Sequence, residues 1–222
     1  MTTSGAYSSG YQIDDLLAES WERLGKTASI LTAEVAVSAR RSLNLMLIDW
    51  TNRGVPLWQV EQITSYLTIG EPLYVLPLYV VDLLDTYITD MNGSDRLLGR
   101  ISRSDYAAIA EKTLQDIPSQ VWVDRQADGV QLTFYPVPSN AYLLTANTLR
   151  VPQDCTNLFQ TADAPLLWGE ALAAGLAARL AEKYAPDRFM EKVTLAEKAW
   201  TSASGEERDR VPFIITPAWG IQ

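Results

Sequence analysis

The sequence predicts an α+β fold that is mostly helical. N- and C-terminal helices form an antiparallel helix bundle, a small antiparallel β domain is inserted between them, and an extended C-terminal arm closes the chain. Three observations predict it. Apolar residues recur at helical spacing near both ends. The middle of the chain alternates and is rich in β-branched and aromatic residues. The last twelve residues carry no charge, although they directly follow the five charged residues of "EERDR". The expected division is a flexible start over 1–10, the helix bundle over 11–55 and 163–204, the β-rich insertion over 56–162 and the arm over 205–222.

"YQIDDLLAESWERLG" sets Ile13, Leu16, Leu17, Trp21 and Leu24 on one helical face, with Gly25 as the stop. In "LTAEVAVSARRSLNLMLIDWTNRG", Thr32 is the cap and Gly54 the end. Val35, Ala39, Leu43, Met46, Leu47 and Trp50 form the stripe between them. The spacing predicts an antiparallel pair of helices over 13–24 and 33–53. The pattern then changes to strands in "LWQVEQITSYLTI" and "GEPLYVLPLYVVDLLDTYI", the second restricted by its prolines to short or edge strands. "DMNGSD" reads as a turn, "RLLGRI" as a strand and "SRSDYAAIAEK" as a short helix capped by Ser or Asp. "SQVWVDRQ" and "VQLTFYPVP" form a hairpin through Ala127-Asp128-Gly129, and "AYLLTANTLRVP" closes the β region.

Helical spacing returns in "DAPLLWGEALAAGLAARLAEKY", a helix expected over 164–184 with Asp163 as cap. Trp168, Leu172, Leu176, Leu180 and Tyr184 share one face, and Gly175 with its alanine neighbours permits close approach of another helix. Pro186 breaks it, and Phe189, Val193, Ala196 and Trp200 mark a last helix over 188–203. The four helices are expected to enclose Trp21, Met46, Trp50, Leu172, Leu176 and Trp200.

Composition narrows the function. With 222 residues, 47% apolar and 20% charged, the chain has the make-up of a globular protein with a proper core. No apolar run is long enough to span a bilayer, so no membrane partner is expected, and the start lacks a secretion signal. Histidine is absent from the chain, which removes the commonest general base, the usual zinc ligand and every His-activated nucleophile. A net charge of −9 argues against grasping nucleic acid, which calls for Lys and Arg to displace counterions. No glycine-rich phosphate loop occurs. The expectation is no catalytic residue, no cofactor and no metal.

The remaining candidates read as structural. The carboxylates Asp14/Asp15, Asp82/Asp85 and Glu206/Glu207/Asp209 could serve glycoside hydrolysis only if two converged in a cleft; they read as exposed charges. Trp21, Trp50, Trp168 and Trp200 read as core, and Trp58 and Trp122 as packed strand aromatics. Arg40-Arg41 is a solvated or interface pair. Cys155, in the loop-like "RVPQDCTNLF", has no histidine to activate it and reads as an incidental thiol.

The tail is the candidate partner-binding site. Chain ends are usually polar unless something ties them down, yet this one offers Val211, Pro212, Phe213, Ile214, Ile215, Pro217, Trp219 and Ile221. Twelve extended residues reach ~40 Å, enough to leave their own domain. Pro212 and Pro217 lower the entropy lost on ordering, and Trp219 is the natural hot spot. The charged approach "GEERDR" favours a tail that departs to another subunit over one that folds back onto its own domain or a β edge.

Several segments resemble the head-to-tail adaptor (connector) proteins of short-tailed bacteriophages. These are "RRSLNLMLIDWTNRGVPLWQVEQITSYLTIGEPLYVLP", "LTFYPVPSNAYLL" and "DAPLLWGEALAAGLAARLAEKYAPD", within a similarity spanning residues 11 to about 203. The resemblance implies a homo-oligomeric ring, typically a dodecamer, docked beneath the portal protein and above the tail nozzle protein. DNA would pass through its lumen without specific binding, and the protein would reside in the virion neck after assembly in the host cytoplasm. Residues 1–10 and the tail match none of the family's motifs. Rival readings are a carboxylate-based cell-wall glycan hydrolase of the tail, a monomeric binding module, and a connector or completion protein of a long-tailed phage.

Overall fold

The structure is a computed structural model and describes residues 12–27, 32–54 and 57–206. It is an α+β protein of helices and largely antiparallel sheets. Two apolar cores organise the described residues, one built mainly by helices and one by strands.

The helical core begins with α1 (Ile13–Glu22). Gln12 gives its first turn no side-chain cap. A distant loop satisfies that turn instead, since Ile13 N donates to Gln160 O at 2.9 Å and Asp14 N to Leu158 O at 3.1 Å. The chain reverses at Gly25, whose φ of 74° suits only glycine without strain. A Cβ there would also stand 2.7 Å from Arg188 Nη1. α2 (Ala33–Arg53) has the expected bounds, and Thr32 Oγ1 accepts from Val35 N as its cap.

α4 (Gly169–Tyr184) starts later than the sequence suggests, after a 3-10 turn over Leu166–Trp168. Asp163 is therefore not its cap. Its carboxylate accepts instead from the Arg150 guanidinium at 2.5 and 3.1 Å and from Gln153 N at 2.7 Å. α5 (Phe189–Glu206) follows a second 3-10 turn at Pro186–Arg188. α4 is central: it touches α1, α2 and α5 and buries ten residues, mostly alanine and leucine. Ser20 Oγ of α1 lies 3.1 Å from Ala173 O, and Lys183 Nζ donates to Ser42 Oγ of α2 at 2.7 Å.

Ile13, Leu17, Trp21, Leu43, Met46, Trp50, Leu172 and Leu176 are all buried in this core. α5 differs from the expected fourth wall. Phe189, Val193, Ala196 and Trp200 are only half-buried, and Ala203 is its one fully buried residue among those described. It leans chiefly on the small-residue face of α4. The loop around Cys155, Leu158 and Ala162, which the sequence places in the β-rich stretch, also packs on the helical core.

Two four-stranded sheets enclose the second core. The first has the order β1 (Val60–Tyr66), β10 (Leu143–Arg150), β3 (Val80–Thr89), β4 (Asp95–Leu97), all antiparallel. β3 corrects the expectation from its prolines, for it is the longest strand and lies in the sheet interior. Pro77 stands just ahead of it, so no ladder donor is lost within the strand. Of the two strands in that proline-containing stretch, β2 (Leu73–Val75) is the one that is short and at an edge. It belongs to the second sheet, with β8 (Gly129–Tyr135), β7 (Gln120–Gln126) and β5 (Gly99–Ile101).

"RLLGRI" is not one strand but two. Buried Leu98 donates its N–H to Thr86 O, and the chain there passes from the first sheet to the second. β5 then pairs parallel with β7, and a small parallel pair joins β6 (Gln115–Asp116) to β9 (Val137–Pro138), so the β region is not wholly antiparallel. The β7–β8 hairpin turns where expected, pairing Gln126 with Gly129. α3 (Arg103–Ala108) carries a reciprocal capping box between Ser102 and Asp105. Leu83, Ile88, Val121, Leu132, Phe134 and Leu144 fill the space between the sheets.

Candidate interaction surface

The tail residues Val211, Pro212, Phe213, Ile214, Ile215, Pro217, Trp219 and Ile221 lie outside the described residues, as do Glu207 and Asp209. α5 stands over α4 with an open groove on each side. Toward α2, a cavity of about 240 Å³ is lined by Met46, Trp50, Gly175, Val193 and Trp200. Polar groups join α2 to its neighbours here: Arg53 Nη1 meets Glu197 Oε1 at 2.8 Å, and Arg179 Nη2 meets Asp49 Oδ2 at 3.1 Å. The Arg53 guanidinium also sits 5.4 Å over the Trp200 ring. Toward α1, Ala174, Ala177 and Leu195 line a second groove beside Lys192 and Lys198.

The ion pairs brace the helices. Arg23 of the α1 terminus grips Glu170 of α4 with two bonds of 2.7 Å and Glu19 at 2.8 Å. Those bonds, Glu170 first, raise the Arg23 pKa above its ordinary value, while the guanidinium holds the Glu170 carboxyl below its own. Asp163 is likewise held below the ordinary carboxylate value. Burial pushes it upward, but Arg150 and the Gln153 amide outweigh that.

Among the described residues, neither Asp14/Asp15 nor Asp82/Asp85 converges into an acid–base site. Asp82 is occupied by Arg100 at 3.2 Å and by Arg125, while Asp85 is exposed farther along β3. Asp15 is exposed, and Asp14 Oδ1 accepts the Asp15 amide. Among the described residues no group of three or more Cys, Asp or Glu is placed to hold a metal ion. No helix there is long and apolar enough to cross a membrane. Cys155 is buried, its backbone N–H donating to Asn44 Oδ1 at 3.0 Å, and burial pushes its thiol up to about 11. A thiol so placed is a poor nucleophile.

Trp21, Trp50 and Trp168 are core residues, the last two with ring centroids 5.1 Å apart. Trp58 lies in a 3-10 turn rather than a strand and packs against Trp168. Trp122 lies outside both cores: its ring stacks on Tyr106 of α3 at 5.2 Å, and the Arg103 guanidinium sits 5.5 Å from its centroid. Arg40 is tied to Thr156 O, whereas Arg41 stands exposed.

The feature that sequence reasoning missed is the extent of exposed apolar surface. Leu45, Leu73, Val75, Leu78, Leu97, Phe159, Leu167 and Met190 are each at least half exposed. On α2 the signal was present, because Val37, Leu45 and Ile48 fall off the core stripe.

No protein family matches the chain, and no curated protein matches it. The reading below therefore rests on the residues themselves.

Proposed function

We propose that this chain is a structural subunit of a phage head-to-tail adaptor. About twelve copies close into a ring that docks beneath the portal protein, meets the tail nozzle protein and lets DNA pass without specific binding. In this reading the four long helices form an antiparallel bundle, residues 56–162 a β insertion and residues 205–222 an arm lying on the portal or a neighbouring subunit. The chain performs no chemistry of its own and works in the virion neck, after assembly in the host cytoplasm.

The observation that carries this reading is the exposed apolar surface on both the helical and the β layers. Apolar side chains that are exposed together, as Val37, Leu45 and Ile48 are on one face of α2 and Leu73 and Val75 on β2, mark interaction surfaces where scattered ones do not. The resemblance of the segments forming α2, β8 to β10 and α4 to the adaptor family supplies the kind of assembly. The net charge of −9 per chain suits a lumen along which DNA slides instead of sticking.

Deleting residues 211–222 tests the arm. The truncated chain is expected to keep its helical signal and melting temperature but lose attachment to portal rings of the same phage. Unfolding of the truncated chain, or docking at full affinity, overturns that role. Turnover of peptidoglycan by the pure protein, abolished by one Asp or Glu substitution that preserves the fold, would favour the hydrolase instead.

A further inference from the structure

α2 has two apolar faces. One is buried in the helical core. On the other, Val37, Arg41, Leu45 and Ile48 follow at helical spacing along the solvent side. Leu45 is 61% exposed, Val37 47% and Ile48 43%. Arg41, in the middle of this stripe, has no ion-pair or hydrogen-bond partner among the described residues.

The second sheet is only half covered. On its outer face α3 lies over β7 by stacking Tyr106 on Trp122, and Thr133 of β8, opposite Leu73, is buried, but the edge formed by β2 is open. Tyr74 packs toward the core, while Leu73 and Val75 on either side of it are 50% and 55% exposed. Glu71, two residues ahead of Leu73 in the same alternation, is exposed and also unpaired among the described residues. β2 is three residues long and bracketed by Pro72 and Pro77, which leaves too little edge for another strand to add. What remains is a side-chain face of the kind a helix covers.

We propose that α2 of one copy of this chain lies on the outer face of β2 of a second copy. Leu45 and Ile48 cover Leu73 and Val75, and Arg41 pairs with Glu71. The dimensions agree: Arg41 to Ile48 spans ~10 Å along a helix and Glu71 to Val75 ~13 Å along a strand. The charges are complementary, one cation within the helical stripe and one carboxylate at the start of the strand. A single chain cannot make this contact with itself. Its α2 borders the first sheet, where Ile48 shares a groove with Glu61 and Tyr79, whereas β2 belongs to the second. The contact joins two different surfaces, so repeated copies build a ring or a filament rather than a two-fold dimer. The inference rests on the self-assembly reading above and supplies its subunit contact.

The full chain tests it through charge reversal and cross-linking. Arg41→Glu and Glu71→Arg are each expected to weaken self-association at least tenfold in sedimentation velocity, and the two together to restore it. With Leu45→Cys and Leu73→Cys, oxidation of a mixture of the two variants is expected to give cross-linked dimers, and neither variant alone to do so. One chain carrying both should give a ladder. Self-association unaffected by either charge reversal, together with absence of the mixed cross-link, overturns the interface while leaving self-assembly in place. Leu45→Cys cross-linking to itself overturns it in favour of a two-fold contact. A wild-type chain that stays monomeric at every concentration overturns both the interface and the assembly reading.

Discussion

Gly175→Ala sets two effects of similar size against each other at the closest approach of α4 to α2. A Cβ on Gly175 would stand 2.6 Å from Met46 Sδ and 3.3 Å from Trp50 Cζ2. Ordinary contacts between such atoms are about 3.5–4.0 Å, so the Met46 sulfur must move by roughly 1 Å. Alanine in a helix interior is favoured over glycine by about 1 kcal/mol. Overfilling a packed core costs about 1–3 kcal/mol. Met46 is flexible and lines the cavity between α2 and α5, which gives it somewhere to go. The expected balance is a net loss of about 1 kcal/mol, read as a melting temperature lowered by about 2–4 °C for a chain of this size. In a Met46→Ala background the obstructing sulfur is gone, and the same substitution is expected to be neutral or to stabilise. The assay is chemical denaturation of the four members of this double-mutant cycle, with a coupling of at least about 1 kcal/mol. A stabilising Gly175→Ala in the wild-type background, with no coupling to Met46, would refute the account of α2–α4 packing.

Leu176, fully buried one position on, tests the helical core more bluntly: Leu176→Ala is expected to cost ~2–5 kcal/mol in denaturant melts, and an unchanged melting temperature would count against that core. The carboxyl of Asp163 has a lowered folded pKa, so its contribution to stability is fully present above the ordinary aspartate value and is lost as pH falls through the depressed one. Asp163→Asn should therefore lose about 1–3 kcal/mol at neutral pH and show a shallower decline in stability between pH ~5 and ~2 than the wild type. Cys155 should resist a thiol reagent at pH 8 until the chain is unfolded, because the group is buried and its pKa is pushed up to about 11; rapid labelling of the native protein would show the loop to be open.

The elements legible in the sequence are those whose determinants are local. α2 has its expected bounds because Thr32 caps it and the apolar stripe runs unbroken to Trp50. The hairpin at Ala127-Asp128-Gly129 and the Ser102 capping box are equally local. Distant competition explains the rest. Asp163 has the position of a helix cap, but Arg150, thirteen residues earlier and brought near by the end of β10, takes its carboxylate. β3 looks like an edge because prolines precede it, yet a proline ahead of a strand only marks its beginning. The division at Leu98 depends on which sheet each half joins, and nothing within six residues encodes that. Trp122 alternates like a core residue, and only the placement of α3 shows that its face is the outer one. The proposed contact was legible on α2 as apolar residues outside the stripe, while the open edge at β2 required knowing which face of the sheet was already covered.

The central claim is that many copies of this chain join into a closed ring that attaches to a portal. Mass determination by native mass spectrometry, on the full-length chain alone and mixed with portal rings of the same phage, tests it most directly. Each copy adds 24.7 kDa. The account predicts one discrete added mass on the portal ring, equal to a fixed number of copies near twelve, with no intermediate species at saturation. A chain that remains monomeric at high concentration and adds no mass to the portal would contradict it.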